Sequence, residues 1–236
     1  MKVAIMQPYF FPYLGYFQLI HAVDRFILGD EVQYIYQGWI NRNRILKPDK
    51  EGASFIMVPV VKHSHTTPIK CIEAVAGDEW KHKILRQVTH YKKKAPFFGP
   101  VQELLKSCLA PAETNIVRIN AHALKTVCAY IGIRYHVEIQ SEMNFDYSRV
   151  QGRGDRPIRM CEQLGASEYI NPTGGVELYS KAAFAENGIE LRFLQSSLKP
   201  YDQGRLTFEP GLSIIDVMMF NSPADIRLML NNYQLL

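Results

Sequence analysis

The sequence predicts an α/β fold from three observations. Residues 2–6 (KVAIM) form a short apolar run stopped by Gln7-Pro8, which reads as a buried first strand. Pro12 then stands where a first helical position falls, apolar residues follow at helical spacing to Ala22, and a second apolar run at residues 25–28 closes on Gly29-Asp30. Beyond residue 130, short apolar runs alternate with helical patterns up to the final residues. The chain has 236 residues, 47% of them hydrophobic, enough for one domain with a sizeable core.

Strand, tight loop, helix, strand is a βαβ unit, so the first loop falls at the carboxyl edge of a parallel sheet, where open α/β sheets bind ligands. Residues 39–46 and 55–61 read as an antiparallel hairpin, separated by the turn signal Lys47-Pro48-Asp49-Lys50-Glu51-Gly52. Helical patterns at about 78–91, 98–109 and 114–130 make an inserted helical lobe, about residues 78–131. Further elements are a strand at 134–139, a helix at 155–164, a strand at 168–170, a helix at 176–187 ended by Gly188, and a strand at 189–194. Two helices close the chain, at about 213–220 and 223–231, the second marked by Ser222-Pro223. The expected architecture is a Rossmann-like, three-layer parallel sheet with an inserted β-hairpin and a helical lobe, in a single domain over residues 1–236.

Bulk properties exclude several function classes. A net charge of +4 suits an anionic small molecule but not a dedicated nucleic-acid binder. The run Lys92-Lys93-Lys94 reads as a solvated helix end. Cys71, Cys108, Cys128 and Cys161 lie far apart and read as reduced thiols. No secretion signal is read and no stretch reaches the roughly 20 apolar residues of a membrane span, so the expectation is cytoplasmic, without membrane insertion. No Walker, G-x-G-x-x-G or G-x-S-x-G sequence occurs, so no cofactor is expected. His63-Ser64-His65 is metal-like only in spacing and lacks a third ligand, so no metal is expected either.

The first loop carries the strongest site signal. Gln7, Tyr9, Tyr13, Gly15 and Tyr16 stand among two prolines and two phenylalanines. The prolines stiffen the loop, Gly15 leaves room for a ligand or another backbone, and a helix beginning at Pro12 sets Tyr13 and Tyr16 on one face of its first turn. Free N–H groups there favour an anion. The other reading of the same residues is an aromatic plug between helix and sheet.

Trp39, Asn41, Arg42, Asn43 and Arg44 form the second signal. If extended, the segment places Arg42 and Arg44 on one face, suited to forked contacts with a diphosphate. Trp39, Asn41 and Asn43 fall on the other, suited to a sugar. Upstream, Asp30, Gln33 and Tyr34 follow the second strand; in the alternative reading Asp30 and Glu31 simply pair with the arginines of a solvated hairpin. Asn171, Gly174 and Gly175 make a strand-to-helix turn whose backbone N–H groups suit a ligand, the other reading being a plain βα turn. Residues 152–157 form a turn feeding a helix, with Asp155 as N-cap and arginines within reach of an anion. Asp216, on an otherwise apolar helix, is expected buried and paired.

Together these motifs resemble one family. Residues 5–20 (IMQPYFFPYLGYFQLI), the segments at 24–34 and 38–45, then YINPTGGVELY (169–179), GIELRFL (188–194) and PGLSIIDVMMFN (210–221) are similar, in order and nearly end to end, to the WbqC-like family of O-antigen and surface-polysaccharide gene clusters. Pro8-x-x-x-Pro12-Tyr13-Leu14-Gly15-Tyr16 also resembles the H-x-G-H turn of nucleotidylyltransferase-like proteins, with tyrosines in both histidine positions. The family resemblance implies transfer of an amino acid (glycine) or acyl group onto a nucleotide-linked amino sugar. Its partners are then that sugar and an activated donor, with nucleic acid entering only as a charged tRNA donor, and a homo-oligomer is compatible. Such a reaction needs a base within reach of the amine; Asp30 is the first choice, with His21 or His90 second, and Tyr16 joins them as a catalytic candidate. An adenylating ligase using ATP and a non-catalytic nucleotide-sugar binder are the alternatives.

Overall fold

The computed structural model describes residues 1–48, 51–152 and 154–236. Asp49 and Lys50, in the expected hairpin turn, and Arg153, in the expected anion-facing turn, lie outside the described residues.

The chain opens with β1 (Lys2–Met6), α1 (Leu14–Ala22) and β2 (Arg25–Leu28), then makes the hairpin of β3 (Arg42–Leu46) and β4 (Ala53–Met57). Three helices follow, α2 (Glu79–Gln87), α3 (Phe98–Leu109) and α4 (Ile116–Ile131). The chain then returns through β5 (Val137–Ile139), α5 (Asp155–Leu164), β6 (Glu168–Pro172), α6 (Lys181–Ala185) and β7 (Glu190–Ser196), and ends with α7 (Ile214–Phe220), α8 (Pro223–Met229) and β8 (Tyr233–Leu235).

Six strands form one sheet in the order β5-β2-β1-β6-β7-β8, parallel throughout except for the antiparallel β8. Alternation along the strands loads both faces. Val3, Ile27, Tyr169, Leu191 and Phe193 pack against Ile158 and Cys161 of α5 and Phe184 of α6. Ala4, Phe26, Leu28, Ile170 and Leu194 face the other way, into a core shared with α1, α4, α7 and α8. Each fully buried Phe, Leu or Ile contributes about 1.5–3 kcal/mol, so two covered faces stabilise a parallel sheet that isolated strands would not. Trp80 and Ile84 of α2 and Val101 and Leu105 of α3 join the same core as the sheet.

The sheet runs outward from β1 through β2 to β5 and then restarts at β6 on the other side of β1. Loops after β1 and β6 therefore part at the carboxyl edge, a topological switch point. The hairpin stands apart as its own antiparallel pair, with Arg42 opposite Met57 and Leu46 opposite Ala53.

Several boundaries differ from expectation. The strand expected at 134–139 pairs only over β5, and the helix expected at 78–91 stops at Gln87 before a 3-10 turn at Thr89–Lys93. The helix expected at 176–187 shrinks to α6 after a 3-10 turn at Thr173–Gly175. Val176 and Leu178 are exposed there, so that segment has no apolar face to bury. The strand β8 was not expected; its three residues carry too little pattern to signal pairing.

Candidate functional site

The loop after β1 is built around a left-handed residue. Phe11 has φ of 41° and is buried, a conformation that costs about 1–3 kcal/mol unless its surroundings hold it. They do. The Asn43 amide donates to the carbonyls of Phe10 at 3.2 Å and Phe11 at 2.5 Å, and the Ser213 hydroxyl also donates to Phe11 at 2.8 Å. The Phe10 N–H bonds the Trp39 carbonyl at 3.1 Å, and the Ile214 N–H bonds the Pro12 carbonyl at 2.8 Å. The hairpin and the start of α7 thus hold the loop from both sides.

This arrangement corrects the expected roles of two asparagines. Asn43 is fully buried and spent on the loop, while Asn41 accepts from the Tyr34 hydroxyl at 2.8 Å and donates to the Val58 carbonyl at 2.9 Å. Neither amide, nor the Tyr34 hydroxyl, faces a sugar. Tyr16 is buried too, its hydroxyl donating to the Gln7 carbonyl at 2.9 Å, which removes it from catalysis and occupies the Gln7 backbone. Burial, and then neighbouring tyrosines, hold its phenol well above the usual range. The space at Gly15 admits no ligand. A Cβ there would stand 2.4 Å from Cε2 of Tyr13, so the glycine makes room for that ring.

Tyr9, Tyr13 and Trp39 meet at the surface of this loop. Tyr9 stacks on Trp39 at 5.8 Å and lies 6.1 Å from Tyr13; Trp39 continues to Phe55 at 6.2 Å. Guanidinium groups cover these rings, Arg42 over Phe55 at 4.5 Å and Arg44 over Trp39 at 5.9 Å. Trp39 precedes β3, so it escapes the strand alternation and sits on the arginine side, contrary to expectation. Nor do the arginines form a forked pair. Arg42 turns back to the carbonyls of Gly38 and Gln37, whereas Arg44 reaches Gly211 and lies 3.9 Å from Glu209.

A second concavity opens at the ends of β2 and β5, about 410 Å³ in volume, lined among others by Glu31, Lys70, Gln140, Ser141, Tyr147 and Arg156. Glu31 bonds Lys70 at 2.9 Å and Arg156 at 2.6 Å, and accepts from the Gln140 amide at 3.2 Å. Arg156 lies over the Tyr147 ring at 4.2 Å. Burial pushes the Glu31 carboxyl up, but Lys70 and Arg156 outweigh it and leave it below its usual value. The cations here come from the loop after the hairpin and from α5, so Asp30 and Glu31 do not pair with Arg42 or Arg44.

Asp30 lies beneath this cleft and is 1% exposed. Ser141 clips both its oxygens, the N–H bonding Oδ1 at 3.0 Å and the hydroxyl bonding Oδ2 at 2.6 Å. Burial raises the Asp30 carboxyl, opposed by the Ser141 bonds. The Asp30 carboxylate therefore meets the cleft through Ser141, while its backbone carbonyl accepts from the Lys70 N–H at 2.8 Å. Asn144, on the rim, holds φ of 53°, a second left-handed non-glycine at this edge.

Other expected residues lie elsewhere. His21 is in the last turn of α1, at the opposite edge of the sheet, where it borders a cavity of about 500 Å³ with Asp24, Arg134, His136 and Arg227. A helix running away from the carboxyl edge carries it out of reach of Asp30. His90 lies tilted against Tyr91 at 4.2 Å and bonds the Gln87 carbonyl at 2.8 Å, contacts that belong to neither the first loop nor the cleft. Gln33 donates to the His65 carbonyl at 2.5 Å. Asn171 bonds the Tyr169 hydroxyl at 3.0 Å, and a Cβ at Gly175 would stand 2.2 Å from its Oδ1, so Gly175 accommodates a side chain while Gly174 is open. Asp216 is buried and paired as expected, accepting from Tyr91 and Tyr201 at 2.6 Å each and from Gln203 at 2.9 Å. Among the described residues no group of three or more His, Cys, Asp or Glu side chains is placed to hold a metal, and no helix is long and apolar enough to cross a membrane.

The loop, hairpin and cleft all fall within the span of one family model, that of the WbqC-like protein family, which matches residues 7–228. The chain belongs to the WbqC-like family. This WbqC-like chain is also 31% identical over 227 residues to "Uncharacterized protein Rv1507c" of Mycobacterium tuberculosis (strain ATCC 25618 / H37Rv), an alignment covering 95% of each. No solved structure matches it. The nucleotidylyltransferase likeness rests on the sequence of the turn alone.

The cleft residues Lys70, Gln140, Ser141 and Tyr147 are not singled out by sequence. A signal that could have found two of them is their place: Gln140 and Ser141 directly follow a strand, at the carboxyl edge where ligands bind.

Proposed function

We propose that this WbqC-like protein is an amide-forming transferase that adds an amino acid (glycine) or acyl group to a nucleotide-linked amino sugar for O-antigen or surface-polysaccharide synthesis in the cytoplasm. The observation that supports this reading is the charge pattern of the cleft: Lys70 and Arg156 flank the ionised Glu31. Two cations suit a diphosphate, and a carboxylate between them suits the ammonium of an amino sugar. The volume of about 410 Å³ lies in the range of small-molecule sites. Tyr9, Tyr13 and Trp39 offer ring faces for a base or sugar, with Arg44 beside them. In the reaction, the sugar amine attacks an activated carboxyl, the C–N bond forms, the donor's leaving group departs, and a base takes the amine proton.

Titration of the protein with UDP- or dTDP-linked amino sugars, with each nucleoside diphosphate alone and with ATP tests the reading. Preferential binding of the amino sugar, with turnover when an aminoacyl or acyl donor is added, is the expected result. Tight ATP binding with pyrophosphate release would replace it with the adenylating ligase. One observation favours a second reading, a non-catalytic binder of the same sugar: Asp30, the expected base for the sugar amine, is 1% exposed and is not among the residues lining the cleft. Binding without turnover from any donor would select it.

A further inference from the structure

The pairing of Ser141 with Asp30 has a chemical consequence. A hydroxyl that lines a cleft and donates to a buried carboxylate at 2.6 Å has the geometry of an activated nucleophile and its base. The base is itself oriented, because the Ser141 N–H holds its other oxygen at 3.0 Å. Two cations and an amide, those of Lys70, Arg156 and Gln140, line the same cleft, gathered on Glu31; an oxyanion there would share them with that carboxylate. We propose that Ser141 is an acyl-accepting nucleophile, with Asp30 as its general base, and that the donor is an activated acyl or aminoacyl ester or thioester. The nature of the donor rests on the transferase reading; the reactivity of the serine does not.

The steps balance. Ser141 Oγ attacks the donor carbonyl carbon while its proton passes to Asp30, and the collapsing tetrahedral adduct breaks the C–S or C–O bond. The leaving thiolate or alkoxide takes the proton from Asp30. An amine then attacks the Ser141 ester, the C–N bond forms, the ester C–O bond breaks, and Ser141 Oγ recovers a proton as the amine loses one through Asp30. Asp30 begins and ends as a carboxylate. Burial, which raises its pKa, makes it a better proton acceptor than an exposed carboxylate.

Incubation with a fluorophosphonate probe, followed by peptide mass spectrometry, tests this without knowledge of the donor. The expected result is one adduct on the peptide carrying Ser141, absent in Ser141→Ala and formed at least tenfold more slowly in Asp30→Asn. The labelling rate of the wild type rises with pH as Asp30 ionises, with a midpoint above the ordinary carboxylate value. Circular dichroism melting of both variants shows whether they remain folded; the adduct site in the wild type is decisive by itself. No adduct at Ser141, under conditions that fully label a serine-hydrolase control, overturns the proposal, as does equal labelling of a folded Asp30→Asn. Amide synthesis undiminished in Ser141→Ala overturns the serine and leaves the transferase standing. An adduct at Ser141 in a protein that makes no amide on any nucleotide amino sugar supports the serine and removes the acceptor.

Discussion

The side-chain amide of Asn43 meets the carbonyl of Phe11 at 2.5 Å, tying the hairpin to the left-handed point of the first loop. A buried strand residue thereby sets the position of the aromatic surface formed by Tyr9, Tyr13 and Trp39.

Asn43→Ala removes the donor to two buried carbonyls, and only Phe11 keeps another, from Ser213. Leaving a buried acceptor unsatisfied costs about 1–3 kcal/mol. Urea unfolding should show a loss of that size, and Asn43→Asp, which cannot donate when ionised, should show no recovery.

Gly15→Ala places a Cβ within 2.4 Å of the Tyr13 ring edge, the far end of a movable side chain. The ring should swing away at a cost of about 1 kcal/mol or less, so the protein stays folded. Near-ultraviolet circular dichroism should change as in Tyr13→Ala, and nucleotide-sugar affinity should fall alike in both. Unchanged spectra would mean that Tyr13 was not held over Gly15.

Asp216 supplies a pH prediction. Burial raises its folded carboxyl above the unfolded value of about 3.9, although Tyr201, Tyr91 and Gln203 oppose the shift. Between the two values the native state holds more protons than the unfolded chain, so this group's contribution to stability falls as pH rises through that window. Asp216→Asn should flatten the fall. Denaturation midpoints of the variant and wild type, compared at stepped pH, read the difference.

Glu31→Gln separates the two charges a nucleotide amino sugar would carry. Without the carboxylate, Lys70 and Arg156 are released for an anion. Affinity for a simple nucleoside diphosphate should rise a few-fold at low salt, while affinity for its amino-sugar derivative should fall. Calorimetric titration checks both, and a parallel change for the two ligands would contradict the ammonium role of Glu31.

The parts of the fold that the sequence made legible are those written as continuous runs. KVAIM, the helical spacing after Pro12 and the run at 25–28 announce the βαβ unit because Pro and Gly mark its ends, although α1 begins at Leu14, with Tyr13 as its extended N-cap and not, as expected, at Pro12. The hairpin was legible as a pair of runs, but not the side on which Trp39 falls, because alternation holds only once β3 begins at Arg42. The glycines misled for a shared reason. Gly15 and Gly175 yield space to Tyr13 and Asn171, and sequence does not distinguish room for a ligand from room for a neighbour. The cleft was the least legible. Lys70 and Arg156 stand 39 and 125 residues from the Glu31 they flank, a meeting set by the strand order and not by local pattern.

The most direct measurement is the affinity of the wild type and of Lys70→Ala/Arg156→Ala for a nucleoside-diphosphate amino sugar. Loss of both phosphate partners should weaken binding at least about 100-fold, since charge-assisted hydrogen bonds are worth about 1.5–3 kcal/mol each. An unchanged affinity in a folded double variant, or no binding by the wild type, would contradict the carboxyl-edge cleft as the substrate site.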